Sequence, residues 1–82
     1  MFEKYNIHAD LKIRLQQYIE HGKLDNSFLK FVLQNDLINA VLESTPDDRE
    51  SLEDLVRCIY FEVPNDLWGS PDRVHRHSTD FL

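Results

Sequence analysis

Three sets of side chains in this sequence are of types that do chemistry, and their spacing decides what each can do. The densest is His75-Arg76-His77, with Asp80 close behind. Imidazole and carboxylate are metal ligands, but histidines two residues apart point to opposite sides of a helix. A zinc site takes three or four ligands, and no Cys pair or His-x-x-x-His spacing supplies the others. The expectation is a partly cationic, flexible tail over 75–82 rather than a metal centre. Cys58 is the only cysteine. It falls inside a predicted helix, away from the helix N-terminus or neighbouring base that would activate a thiol, and His8 and His21 are remote in sequence. The carboxylate pairs Asp47-Asp48 and Glu53-Asp54 could do acid–base work only in a pocket that separates their pKa values. At a helix start they are better explained as capping charges. No phosphate-cradling glycine loop, dinucleotide fingerprint or nucleophile elbow is present. The parts point away from an enzyme, with no catalytic residue, cofactor or metal expected.

The elements that position these residues are helical. Eighty-two residues with 41% apolar content make one domain near the lower end of what folds on a core alone. Residues 1–7 read as an extended arm that Phe2, Tyr5 and Ile7 can tack down. Helix one is predicted from Asp10 to His21, with Leu11, Leu15, Tyr18 and Ile19 on one stripe and Gly22 at the left-handed position beyond its end. Leu11, Ile13 and Leu15 also alternate as a strand would, but the helical register accounts for more residues. Thr45-Pro46-Asp47-Asp48 is a strong helix start, and the helix it opens should run to Glu62 and stop before Pro64. Its predicted stripe is Leu52, Leu55, Val56, Ile59 and Val63, which turns Phe61 outward with Cys58 nearby. Ser70-Pro71 opens a short helix from Asp72 to Ser78, and Trp68 and Gly69 form an anchored turn before it. The expected fold class is all-α, a small bundle of three main helices plus a short C-terminal helix.

The second of those helices, from Phe28 to Glu43, carries two apolar faces. Leu29, Leu33, Leu37, Ala40 and Val41 share one side at about 100° per residue. Phe28, Phe31, Asn35, Ile38 and Leu42 share another, in the rhythm of paired helices with an asparagine in the middle. A helix with two apolar stripes must be covered from both sides. That makes Phe31, Asn35, Ile38 and Leu42 a candidate surface for a protein partner or a second copy, with Phe61 as a further contact. Asn35-Asp36 has poor helix propensity, and a break there would split the two stripes between two axes.

Fifteen acidic against nine basic residues give a formal charge of −6. From Glu43 to Asp66 eight acids are faced only by Arg49 and Arg57. Such a surface repels a phosphate backbone, so direct nucleic-acid binding is not expected. Asp47, Asp48, Glu50 and Asp54 form a candidate acidic face. It would be either a solvated surface or an imitation of nucleic acid. A helix–turn–helix regulator would need Lys23, Lys30, Arg73 and Arg76 to converge. A single cysteine, no apolar leader and no membrane-length apolar run predict a soluble protein of a reducing cytoplasm.

Phe28-Leu29-x-x-Val32-Leu33-x-Asn35-Asp36-Leu37-x-x-Ala40, followed by Pro64-x-x-x-Trp68-Gly69-Ser70-Pro71-x-x-Val74, resembles a family of small uncharacterised helical proteins of bacteriophages and other bacterial mobile elements. The likeness spans residues 21–74. It departs at the start of helix two, which lacks a Pro-Gly stretch, and in the His/Arg-rich tail. The resemblance implies a helical fold and a setting in which a small inhibitor or adaptor binds a host or defence protein; it transfers no catalytic residues.

Overall fold

The computed structural model describes residues 2–81. Five α-helices follow one another: α1 (Ala9–His21), α2 (Ser27–Leu33), α3 (Leu37–Leu42), α4 (Pro46–Glu62) and α5 (Pro71–Thr79), with a 3-10 turn at Asn65–Leu67 before α5. No strand occurs among the described residues. The all-α class is as expected, with one helix more than the sequence suggests because the second is two.

Helix boundaries follow local chemistry. Gly22 takes φ 67 after α1, and its N–H donates to the Tyr18 carbonyl at 2.8 Å. A Cβ there would stand 2.5 Å from the Phe81 ring, so glycine also permits the close approach of the chain's end. The Thr45 hydroxyl accepts from the Asp48 N–H while the Asp48 carboxylate accepts from the Thr45 N–H, a reciprocal capping box with Pro46 in the first turn. The Asn26 and Ser70 side chains cap α2 and α5 by accepting from the Leu29 and Arg73 N–H groups.

The break between α2 and α3 is a correction with a clear cause. Asn35 has φ 62 and is the only non-glycine with positive φ among the described residues. Its N–H donates to the Val32 carbonyl and the Asp36 N–H reaches back to Phe31, at 3.0 and 2.8 Å. These two bonds are the Schellman arrangement, with asparagine standing where glycine is usual. Asp36 then caps α3 by accepting from the Asn39 N–H and side-chain amide. Asparagine tolerates the left-handed region better than any branched residue, and its neighbour is a good cap, so one helix ends and the next begins within two residues.

This break redistributes the apolar residues along the chain instead of around one helix. In α2, Phe28, Leu29 and Leu33 are buried and Phe31 packs against the core. In α3 only Ala40 is buried. The core joins these to Leu11, Leu15 and Tyr18 of α1, Leu55, Cys58 and Ile59 of α4, and Val74 of α5. Phe2 and Ile7 from the N-terminal arm complete it. Asn35→Gly should leave stability within about 0.5 kcal/mol, since glycine adopts the same φ freely. Asn35→Val should cost roughly 1–3 kcal/mol through strain at positive φ. Urea denaturation of the two variants measures both.

Candidate functional site

Helix α3 supplies an unusual surface. Its sequence, Leu-Ile-Asn-Ala-Val-Leu, holds no charged residue. Ile38 and Leu42 are 75% and 76% exposed and stand opposite the buried Ala40; Leu37 is 63% exposed and Val41 is half-covered. Across from them on α4, Val56 is half-exposed and Tyr60 is 64% exposed. Between the two helices runs a groove of about 220 Å³, lined by Val32, Leu37, Ala40, Leu52, Val56, Ile59, Tyr60 and Trp68, with Asn35 and Asp36 as its polar lining. The space is below the 300–1,000 Å³ or so that ordinarily encloses a small-molecule ligand, and suits one or two apolar side chains.

Trp68 builds one wall. Its indole N–H donates to the Val63 carbonyl at 3.2 Å, and its ring meets Tyr60 edge-on at 6.2 Å. The next residue, Gly69 (φ 108), donates its N–H to the Leu33 carbonyl at 2.7 Å, which ties the turn before α5 to the end of α2. The groove is therefore framed by residues far apart in sequence. Trp68 reads as an anchor from sequence, but its lining role with Tyr60 does not, because no local pattern brings those segments together.

The sequence-predicted partner residues separate in space. Ile38 and Leu42 form an exposed ridge. Asn35 lines the groove but sits on no helical face; it ends α2. Phe31 turns inward and packs on the core. Phe61 is 69% exposed and rests its ring edge against Tyr60 at 5.0 Å, yet it points away from the groove side of α4. Cys58, expected beside it, is instead fully buried. The buried face of α4 includes Ser51, Leu55 and Cys58, so Val56 is left half-exposed. Burial, with the nearby Glu62 charge, pushes the Cys58 thiol up to about 11, where it stays protonated and unreactive at neutral pH.

The N-terminal arm explains that rotation, and it takes over much of the candidate acidic face. It runs antiparallel to α4 and bonds to it at nearly every turn. The Tyr5 hydroxyl donates to Glu62 at 3.1 Å, and Lys4 lies 3.5 Å from the same carboxylate. The Asn6 N–H donates to Asp54 at 2.6 Å. The His8 N–H donates to the Ser51 hydroxyl at 3.1 Å, and its ring Nε2–H donates to Asp48 at 2.9 Å. Asp48 is buried and Asp54 engaged, which leaves Asp47 and Glu50 as the exposed pair of the four. Ser51, His8 and Asp48 are hydrolase residue types, but the serine hydroxyl accepts from a backbone N–H and contacts no imidazole nitrogen, so the nucleophile–base pair is not formed.

The histidine cluster also divides. His75 is exposed, whereas His77 is buried in α5 with Nε2–H donating to the Tyr18 carbonyl at 2.8 Å. Its ring lies edge-on to Tyr18 and Phe81 at 4.8 and 5.2 Å. The segment read as a tail is thus helical through Thr79 and docked on α1; residue 82 lies outside the described residues. Tyr18 donates its hydroxyl to the Leu67 carbonyl, and burial pushes its phenol up to about 12. A second, more polar hollow lies between α2 and α5, where Lys30 and His75 face Asp72, Gln34 and Ser78. Of the remaining cations, Arg73 donates to the Asn65 and Trp68 carbonyls, and Lys23 and Arg76 are exposed. No group of three metal-capable side chains occurs among the described residues, and none of their helices is long and apolar enough to cross a membrane.

Fold and site together define a small all-α protein in which an uncharged, largely exposed helix walls one side of an apolar groove. Set against known proteins, the chain matches no family model, no curated protein and no solved structure.

Asp48 gives the arm its pH dependence. Burial alone would raise its carboxyl, but hydrogen bonds from the Thr45 N–H, the His8 ring and the Thr45 hydroxyl outweigh that and hold it below the ordinary aspartate range. A lowered carboxyl stabilises the fold above its unfolded pKa and loses that contribution as pH falls through the folded value. Asp48→Ala should therefore cost about 1–2 kcal/mol at pH 7, with the deficit shrinking as pH drops below about 4. Urea midpoints of both proteins across that range read the difference.

Proposed function

We propose that this chain is a non-enzymatic protein–protein interaction module that recognises apolar side chains of a protein partner through α3 and the adjoining groove. The observation that carries the reading is α3 itself, a helix with no charge and one buried residue out of six. Scattered exposed aliphatics are ordinary on a protein surface, but a contiguous apolar patch rimmed by charge marks an interaction surface. Here Leu37 shares the groove with Val56 and Tyr60, and Val41, Ile38 and Leu42 carry the exposed apolar surface on around α3, in a chain of formal charge −6. A groove of about 220 Å³ has room for one or two apolar side chains, as a pair four residues apart on a partner helix would present. The resemblance to small phage and mobile-element proteins supplies a setting, an inhibitor or adaptor that engages a host or defence protein.

Selection from a random peptide-display library, with the protein sparsely immobilised, tests this reading. It should enrich sequences with paired apolar residues at helical spacing. Binding of an enriched peptide should fall roughly tenfold or more in Tyr60→Ala and persist in Phe61→Ala. Failure to enrich any apolar motif, or equal binding by all three proteins, would contradict it.

A further inference from the structure

We infer that the N-terminal arm, residues 2–8, is a strap over Cys58 that opens as a unit while the helices stay packed, so that its release alone turns a sealed thiol into an accessible one. The strap lies on a different flank of α4 from the groove and does not rest on the interaction-module reading. Ser51, Asp54, Cys58 and Glu62 fall within about 80° of one another around α4. The arm bonds to the three polar members of that stripe and so passes over the fourth. The Asn6 N–H is held at Asp54, one turn before the cysteine, and the Tyr5 hydroxyl at Glu62, one turn after it. Those two positions are about 12 Å apart along the axis, and the Tyr5 side chain bridges them at the level of Cys58. Phe2 and Ile7 are buried in the same core cluster as the cysteine, which is fully covered.

The attachment can break and leave the helical frame intact. Every bond from the arm to α4 ends on a side chain: Glu62 for Tyr5 and Lys4, Asp54 for Asn6, Ser51 and Asp48 for His8. Ser51, Asp54 and Glu62 have no other polar side-chain partner among the described residues, and Asp48 keeps its capping box with Thr45 when the arm leaves. Within the arm the backbone bonds are short-range, from Tyr5 to Phe2 and from Ile7 to Tyr5. The junction with α1 supplies the hinge. His8, at the N-cap position, is extended (φ −64, ψ 152) and makes no side-chain cap bond, because its ring is turned to Asp48. Undocking therefore breaks no bond between two helices and costs α1 no cap.

What resists undocking is the burial of Phe2 and Ile7 together with those polar contacts. A segment held in this way, without ladder or helix bonds to the frame, opens at a lower free energy than the global transition. While the strap is closed, the Cys58 thiol stays protonated and out of reach. Once it opens, the sulfur meets water and returns towards the ordinary cysteine range of about 8.5, where a fraction is thiolate at neutral pH. The strap, and not the packing between helices, is then what keeps the cysteine inert.

Labelling of Cys58 by dithiodipyridine in the native protein, with amide hydrogen exchange alongside, tests the inference. The Asn6 and His8 amides should exchange together and with less protection than those of Leu55 and Ile59, and Cys58 should label through the same opening without urea. Asp54→Ala removes the acceptor of the Asn6 N–H and should speed labelling roughly tenfold. Val74→Ala, at a buried position in α5 that no arm bond touches, should lower the urea midpoint and leave labelling within about twofold. Labelling that accelerates in Val74→Ala as global stability falls would overturn the strap. So would labelling unchanged by Asp54→Ala, or Asn6 and His8 amides that open only together with Leu55 and Ile59 in the unaltered chain.

Discussion

Asn35 holds the one left-handed backbone outside glycine among the described residues, and the arrangement of both neighbouring helices depends on it. If the helix continued through this point, Leu33 and Leu37 would share a face, and so would Phe31, Asn35 and Ile38. With the Schellman bonds to Val32 and Phe31 in place, α2 ends on a full set of satisfied groups and Asp36 caps the next helix at once. α2 is then free to sink Phe28, Leu29 and Leu33 into the core. α3 emerges along a new axis with only Ala40 turned inward. The Gly69 bond to the Leu33 carbonyl clamps the same corner from the C-terminal side.

Helix α4 serves two neighbours from different flanks. One flank, through Asp48, Ser51, Asp54 and Glu62, grips the N-terminal arm with a bond at nearly every turn. The other, through Leu52, Val56, Ile59 and Tyr60, walls the groove. Leu55 and Cys58 go to the core between them. Polar contacts with the arm engage Asp48, Asp54 and Glu62 on the first flank, whereas the second flank is apolar. Buried side-chain polar atoms are satisfied throughout the described residues, so the exposed aliphatics of α3 are the feature that the interior does not explain.

Much of the fold is legible in the sequence because its boundaries are written locally. Thr45-Pro46 and Ser70-Pro71 open their helices, Gly22 closes the first, and Pro64 follows the end of α4. A cap needs partners only three or four residues away. Asn35-Asp36 is legible as a weak point, but whether a helix bends, continues or ends there is settled by long-range packing worth about as much as the propensity difference. The burial of Cys58 depends on an arm that joins α4 from about fifty residues away, as between Tyr5 and Glu62. That of His77 depends on a carbonyl at Tyr18. The Ile38–Leu42 ridge is visible as a four-residue spacing; the groove between α3 and α4, which needs Trp68 and Tyr60, is not.

The central claim is that the uncharged face of α3, with the groove against α4, is where this protein meets another chain. Amide chemical shifts recorded while a peptide selected on this protein is titrated in test it most directly, because they report which residues change environment on binding. The account predicts shifts centred on Leu37 to Leu42 and on Leu52 to Tyr60, with His75, Asp47 and Glu50 unmoved. Shifts that centre on Phe61 or on α5 would contradict it.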